Sequence, residues 1–210
     1  MTVIAIDGTF ASGKGTLAKA LAGHYGYHYL DTGKLYRATA RDVLRAGGDP
    51  NNAAQATQYA KSVDASSLDD PALKQSEIAA AASKLAVHKT VRAALYDFQR
   101  DFAAKAPGAV LDGRDIGTVI CPEAKVKLYI DAAPPERARR RHAELTGYGE
   151  DITLETVAMQ LAERDARDAG RAEAPLKPAA DAHLIDTTDM SVQQVMDMAV
   201  RIVEGSLSPS

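Results

Sequence analysis

The sequence predicts an α/β fold: a five-stranded parallel sheet flanked by helices. Three observations carry that reading. Short apolar segments take turns with longer ones of helical spacing, each short segment ends at or beside an Asp with Gly, Thr or Pro nearby, and the first opens into a glycine-containing loop and a helix. Strands separated by helices are joined by crossovers rather than hairpins, which covers both faces of a parallel sheet.

The first strand is "VIAI" (Val3 to Ile6), followed after the loop by a helix with Leu17 and Leu21 on one face. "YHYL" (Tyr27 to Leu30) is the second. A stretch rich in Ala, Ser and Asp comes next, and residues 53–82 read as helix and loop without strand patterning. Val91, Leu95, Phe98 and Phe102 mark a helix leading to the third strand, "AVLD" (Ala109 to Asp112), and "VKLYIDA" (Val126 to Ala132) is the fourth. A heavily charged segment from Arg137 to Arg171 separates it from the fifth, "HLIDTT" (His183 to Thr188). Val192, Val195, Met196, Ala199, Val200 and Val203 give the last helix its apolar face, before a short Ser/Pro end at Ser206 to Ser210. All five strands are expected to be buried. Parallel strands end on one side, so Asp7, Asp31, Asp112, Asp131 and Asp186 should gather along one rim, where such sheets bind ligands.

At 210 residues the chain is long enough for one main core, and its net charge of −3 offers no general attraction to nucleic acid or an anionic membrane. The single cysteine, Cys121, excludes an internal disulfide and fits a reducing compartment. No charged leader precedes an apolar stretch and a cleavage site, and no apolar run approaches the ~18 residues of a membrane span. A cytoplasmic protein is expected.

"AIDGTFASGKGTLAKAL" (Ala5 to Leu21) places three glycines, a lysine and two threonines between the first strand and its helix. In such a loop successive backbone N–H groups curl around a phosphate, and the helix dipole adds attraction for the anion. Gly8, Thr9, Phe10, Ala11, Ser12, Gly13, Lys14, Gly15 and Thr16 therefore form a candidate nucleotide-phosphate site, with Lys14 reaching the outer phosphates. The strict pattern G-x-x-x-x-G-K-[ST] is not met, because Gly15 stands where the hydroxyl belongs. Thr16 takes that place, facing a magnesium ion. Asp112, at the end of the third strand, either orients the same ion through water or caps the turn.

Arg137, Arg139, Arg140, Arg141, Arg164, Arg167 and Arg171 crowd one segment of a chain that is acidic overall. Glu163, Asp165 and Asp168 offer partners for a solvated helix face laced with ion pairs. Against that reading, Arg164, Arg167 and Arg171 fall at i, i+3 and i+7, on one side of a helix together with Asp168. Guanidiniums and a carboxylate on one face suit a lid closing on phosphates and a sugar. Phosphoryl transfer asks mainly for alignment, positive charge on the equatorial oxygens and exclusion of water.

"GTFASGKGT", "LDTGKLYR", "DGRDIGTV", "ERDARDAGR" and "APLKPAADAHLIDTT", in this order and across nearly the whole chain, resemble bacterial cytidylate kinases. The second, third and fourth are much more specific than the loop, which all nucleoside monophosphate kinases share. The resemblance implies a single nucleoside monophosphate kinase domain. Its P-loop NTPase core would take in residues 1–50, 86–136 and 180–205, with a reduced monophosphate-binding region at about 51–85 and a lid at about 137–172. It also implies transfer of the γ-phosphoryl group of ATP to CMP or dCMP with Mg2+. Lys14, Arg114, Arg164 and Arg171 would be catalytic. The matched motifs place Asp31 and Thr32 at the CMP site, Arg37, Arg114 and Arg171 at phosphates, Arg164 and Asp168 at the sugar, and Ser83, Arg92 and Asp115 at the cytosine. A monomer acting on small molecules is expected, with neither nucleic acid nor membrane as partner. Ala11 and Ser12 depart from a loop centre that is richer in glycine in many relatives, and Thr32 stands where a serine is common.

The chemistry of the base supports the last assignment independently. Cytosine presents an amino donor at N4 beside acceptors at N3 and O2, so a carboxylate accepts from N4 and a guanidinium donates to the acceptors. Uracil puts a carbonyl at that corner and would leave Asp115 facing an acceptor, a mismatch able to discriminate by ~10⁴ to 10⁵. The bland reading of Asp115 is an ion pair with Arg114, and that of Arg92 a surface arginine lying along Val91, Leu95 and Phe98. A kinase for UMP or dTMP would share the loop and lid without needing "DGRD" beside the base. A nucleotide-dependent switch would need no such density of arginine.

Overall fold

Five strands form one sheet in the order β2-β3-β1-β4-β5: β1 (Thr2–Gly8), β2 (His28–Asp31), β3 (Gly108–Gly113), β4 (Val126–Asp131) and β5 (His183–Asp186). The computed structural model describes residues 1–208; Pro209 and Ser210 of the Ser/Pro end lie outside the described residues. The chain divides into two units, one of Met1–Leu30 and Arg100 onward, the other of Asp31–Gln99.

In the first unit β1 is the central strand, parallel to β3 on one side and to β4 on the other, with β5 parallel to β4. Its burial follows from that position: Ile4 and Ile6 have no exposed surface and pack with Val110, Val126, Leu128 and Ile130. α1 (Lys14–Tyr25) buries Leu17, Ala18 and Leu21 against this core, and α8 (Val192–Leu207) buries Val195, Ala199 and Val203. Gly26, in the left-handed region at φ 64°, ends α1, while Ser191 and Gln194 begin α8 with a reciprocal capping box. α6 (Pro134–Gly147) opens on two prolines, which its first turn accepts without losing a hydrogen bond. α7 (Leu154–Ala169) packs against it through Ala138, Leu145, Val157 and Leu161.

The expectation of five buried strands holds for the middle of the sheet only. β5 buries Ile185 and leaves Leu184 67% exposed, and β2 fully buries Leu30 alone, because each has a neighbour on one side only. Val192, counted in the apolar face of the last helix, is likewise exposed. Register sets Ile6 opposite Asp112, Asp7 opposite Tyr129, and Asp131 opposite Asp186, so these aspartates end on one rim as expected.

Beyond Asp31, the last residue of β2, the described residues of the second unit form helices and turns: α2 (Thr32–Arg45), α3 (Ala53–Ala60), two 3-10 turns (Ala65–Asp69 and Pro71–Lys74), α4 (Ser76–Leu85) and most of α5 (Lys89–Ala103). Residues 53–82 carry no strand, in agreement with their patterning. Buried Arg41 ties the 3-10 turns to α2, donating to Asp42, Asp70 and the Ser67 carbonyl. No helix of the described residues is long and apolar enough to cross a membrane.

Candidate functional site

The loop between β1 and α1 is built by close approaches and by partners for its carbonyls. A Cβ on Gly8 would sit 1.9 Å from the Ile130 carbonyl oxygen, so only glycine lets β1 run this close to β4. Gly13 precedes α1 at φ 91° and Ala11 adopts φ 62°, an alanine held in the left-handed region at a cost of ~1 kcal/mol. The carbonyls of Phe10 and Ser12 accept from Arg137 (3.3 Å) and from Arg140 and Thr187 (3.3 and 2.8 Å), and the Thr9 carbonyl accepts from Ser12 Oγ at 2.9 Å. In a trans peptide the N–H points opposite to the C=O. Occupying these carbonyls therefore turns the N–H groups of Phe10, Ala11 and Gly13 to the opposite side, where an anion would find them. Thr9 Oγ1 ties the loop to the end of β4 by donating to Asp131 at 2.6 Å.

Lys14 opens α1 with its Nζ 3.8 Å from the Asp112 carboxylate, both side chains buried. Tyr29 donates to the other Asp112 oxygen at 3.1 Å. A Cβ on Gly15 would come within 3.2 Å of that oxygen, a physical reason for the hydroxyl to be displaced to Thr16, which is exposed.

Arg114, Arg164 and Arg171 converge on one carboxylate. Asp168, 1% exposed, receives Arg114 Nε at 3.0 Å, faces Arg164 Nε at 3.8 Å and accepts from Arg171 through its other oxygen. Burial pushes the Asp168 carboxyl upward, yet the three guanidiniums together hold it below the ordinary carboxylate range. The expected single helix face is only partly realised. α7 ends at Ala169, so Arg171 reaches Asp168 from beyond the helix, and Arg167 pairs instead with Glu163 at 3.6 Å. Other arginines of the segment pair with other carboxylates: Arg137 with Asp165, Arg139 and Arg140 with Glu136, and Arg141 with Glu144.

Asp115 is buried and caps a π-type turn, Ile116–Ile120, in which its carbonyl accepts from Val119 and Ile120 at 2.8 and 3.1 Å. That turn is anchored by Asp7, whose two oxygens accept from the backbone N–H groups of Ile116 and Gly117, each at 2.8 Å.

In the second unit Asp31 and Arg37 form an ion pair at 2.5 Å. A Cβ on Gly33 would stand 3.2 Å from Arg37 Nη1, so the glycine makes room for that guanidinium. Thr32 is the buried first residue of α2, Ser83 is buried on α4, and Arg92 lies half-buried on α5.

A family model described as cytidylate kinase matches residues 4–205. The chain belongs to the cytidylate kinase family. It is 52% identical over 202 residues to a cytidylate kinase of Caulobacter sp. strain K31, covering 96% of this chain and 94% of that protein. Against a cytidylate kinase of Rhizobium meliloti strain 1021 the identity is 50% over 205 residues, with 98% and 97% covered. Among solved structures, an uncharacterized protein from Eubacterium ventriosum shares the fold, with a TM-score of 0.54 at 19% identity over 97% of this chain and 98% of that one.

Within this chain the motif residues of the first unit come together as two groups, Lys14 with Asp112 and Arg114 with Arg164, Asp168 and Arg171. Sequence reasoning missed three supports: Asp7 beneath the Asp115 turn, Arg137 and Arg140 at the loop carbonyls, and the ring of Phe10 against the arginine cluster. Asp7 was visible only as one of the rim aspartates. Burial pushes its carboxyl up to about 7, with the Asp115 charge adding and the two backbone N–H bonds and Arg114 opposing. A carboxyl raised on folding stabilises most below its unfolded value, and that contribution disappears as pH rises through about 7. The stability advantage of the parent protein over an Asp7→Asn variant should therefore shrink by about 2 kcal/mol between pH 5 and pH 8, measured by urea unfolding. A constant difference across that range would show that Asp7 does not titrate there.

Proposed function

We propose that this chain is a kinase that transfers the γ-phosphoryl group of ATP to CMP or dCMP, releasing ADP and CDP or dCDP. The observation that carries the reading is the gathering of Arg114, Arg164 and Arg171 on buried Asp168, in the unit that also carries the phosphate loop. A protein that merely binds or slowly hydrolyses one nucleotide has no use for a second concentration of guanidinium charge. The names of the relatives, cytidylate kinases at about half identity over nearly the full chain, supply the acceptor.

Residues Gly8 to Thr16 hold the phosphates of ATP, with Lys14 at the outer ones. Arg37 and Arg114 hold the acceptor phosphate and Arg171 the migrating group. Arg164, backed by Asp168, serves the sugar, and Asp31 and Thr32 border the CMP site. Asp115 reads the N4 amino group of cytosine, with Arg92 and Ser83 at its acceptors. Residues 137–172 act as a lid and the region of about 51–85 as the monophosphate-binding region. The attacking CMP oxygen is already anionic near neutral pH, since the second pKa of a phosphate monoester is about 6. It forms a bond to the γ-phosphorus as the bond from that phosphorus to the β–γ bridging oxygen breaks, and ADP leaves with the electron pair. No side-chain base is needed.

The donors near the loop fit magnesium. Thr16 offers an exposed hydroxyl, and Asp112 a carboxylate next to Gly15 that acts directly or through water. Two hard oxygens fall short of an octahedral shell, which leaves positions for phosphate oxygens and water. The ion would offset phosphate charge. A cytoplasmic monomer is part of the same proposal.

The test is a panel of CMP, dCMP, UMP, AMP and dTMP with MgATP, followed by ADP formation, for the parent and for Asp115→Ala. CMP and dCMP should be turned over far faster than the rest. Asp115→Ala should reduce the CMP-to-UMP ratio of kcat/KM at least tenfold, because the lost acceptor matters only for the amino group. Faster turnover of UMP or dTMP by the parent would replace the reading with a kinase for those acceptors. Equal losses on CMP and UMP would make Asp115 a scaffold residue.

A further inference from the structure

Phe10 sits in the middle of the phosphate loop, where a nucleotide contact calls for backbone and not for an aromatic ring. Its side chain leaves the loop altogether. The ring centroid lies 3.9 Å from the Arg164 guanidinium carbon, 5.2 Å from that of Arg141 and 6.0 Å from that of Arg114. The same ring packs against the apolar cluster of Ala138, Leu145, Val157 and Leu161 that joins α6 to α7. Its carbonyl, meanwhile, accepts from Arg137. One residue of the loop thus touches both the seam of the helical hairpin and the arginines that hairpin helps to carry.

Three like charges around one ring repel each other, an effect that the carboxylates of Asp168 and Glu144 offset. The negative face of an aromatic ring draws in a cation within about 6 Å. Stacking engages the flat face of a guanidinium and leaves its in-plane N–H donors available to oxygen partners. Arg164 on the ring is therefore held in orientation without losing donors. Because the ring belongs to the loop, the setting of Arg164 depends on the conformation of the loop.

We propose that Phe10 is a positioning residue, whose ring orients Arg164 and, more loosely, Arg114 and Arg141, and so links the placement of the arginines to the loop that holds ATP. The inference rests on the kinase reading above.

Phe10→Leu keeps an apolar side chain against the α6–α7 seam but removes the ring face, whereas Phe10→Tyr keeps both. With ATP and CMP saturating, Phe10→Leu should lose at least tenfold in kcat, with KM for ATP changed less than threefold and an unaltered circular dichroism spectrum. Phe10→Tyr should restore most of that loss. In the protein without nucleotide, the Arg164 Nε–H resonance should carry an upfield ring-current shift in the parent and the Tyr variant that is absent from the Leu variant. An active parent with an undiminished Leu variant overturns this inference alone, as does a Tyr variant as slow as the Leu one or an Arg164 resonance indifferent to the ring. A parent that makes no CDP overturns the kinase reading and, with it, the reaction Phe10 is said to serve.

Discussion

Replacing Lys14 with Ala is expected to lower kcat for CMP roughly a thousandfold, the upper range for removing one charged donor from a developing negative charge. The magnitude follows from where the ammonium sits. Lys14 is 8% exposed, at the first position of α1, so its charge acts in a partly desolvated site where water screens it poorly. It stands 3.8 Å from Asp112, a separation too long for a strong hydrogen bond, and nearer in kind to a counter-charge that keeps the ammonium near the loop. Losing the ammonium costs about 2 kcal/mol, less than the roughly 3 to 5 kcal/mol of a buried charge left with no partner at all. Asp112 keeps the Tyr29 hydroxyl at 3.1 Å, and the α1 core of Leu17, Ala18 and Leu21 is untouched. Single-turnover rates should therefore collapse while the thermal midpoint moves by only a few degrees. A variant that turns over CMP at close to the parent rate would remove Lys14 from the phosphate site and take the loop assignment with it.

How much of this was legible beforehand depended on how local each feature is. The loop's character is written within nine consecutive residues, and the strand before and the helix after it are equally local, so Gly8 to Thr16 could be read as a candidate phosphate loop before any tertiary contact was known. The five strands were found in place because short apolar runs bounded by turn residues mark a strand regardless of its partners. Their order in the sheet was not. Leu184 and Val192 read as buried because apolar character carries no information about whether a strand or helix lies at an edge, and β5 is one. The same limit applies to the arginines. Helical spacing pointed to Asp168 and Arg164, but Arg167 and Arg171 parted company because α7 stops at Ala169, a boundary no periodicity sets. Most opaque were the contacts across long sequence separations, such as Asp7 with Ile116 and Gly117, or Phe10 with Arg164, which exist only once β1, β3 and α7 have been brought together.

Arg114→Ala should cut kcat/KM for CMP by about a thousandfold as well, and the argument has to separate two consequences of the same deletion. Arg114 is both a proposed phosphate donor and one of three cations around a carboxylate that is almost entirely buried. Leaving a buried charge without any partner costs about 3 to 5 kcal/mol, but Asp168 would retain Arg164 and Arg171, so the expected loss is nearer 2 kcal/mol. Loss of stability alone does not lower turnover at temperatures well below the midpoint. A double-mutant cycle with Asp168→Ala makes the distinction. With the carboxylate gone, three guanidiniums repel one another, and removing Arg114 should then restore part of the stability that Asp168→Ala loses. Its effect on turnover should keep its sign, because a donor aimed at the acceptor phosphate is missed whether or not Asp168 is present. If Arg114 serves only to neutralise Asp168, deleting it from the Asp168→Ala protein should cost no further activity, and that outcome would return Arg114 to the scaffold.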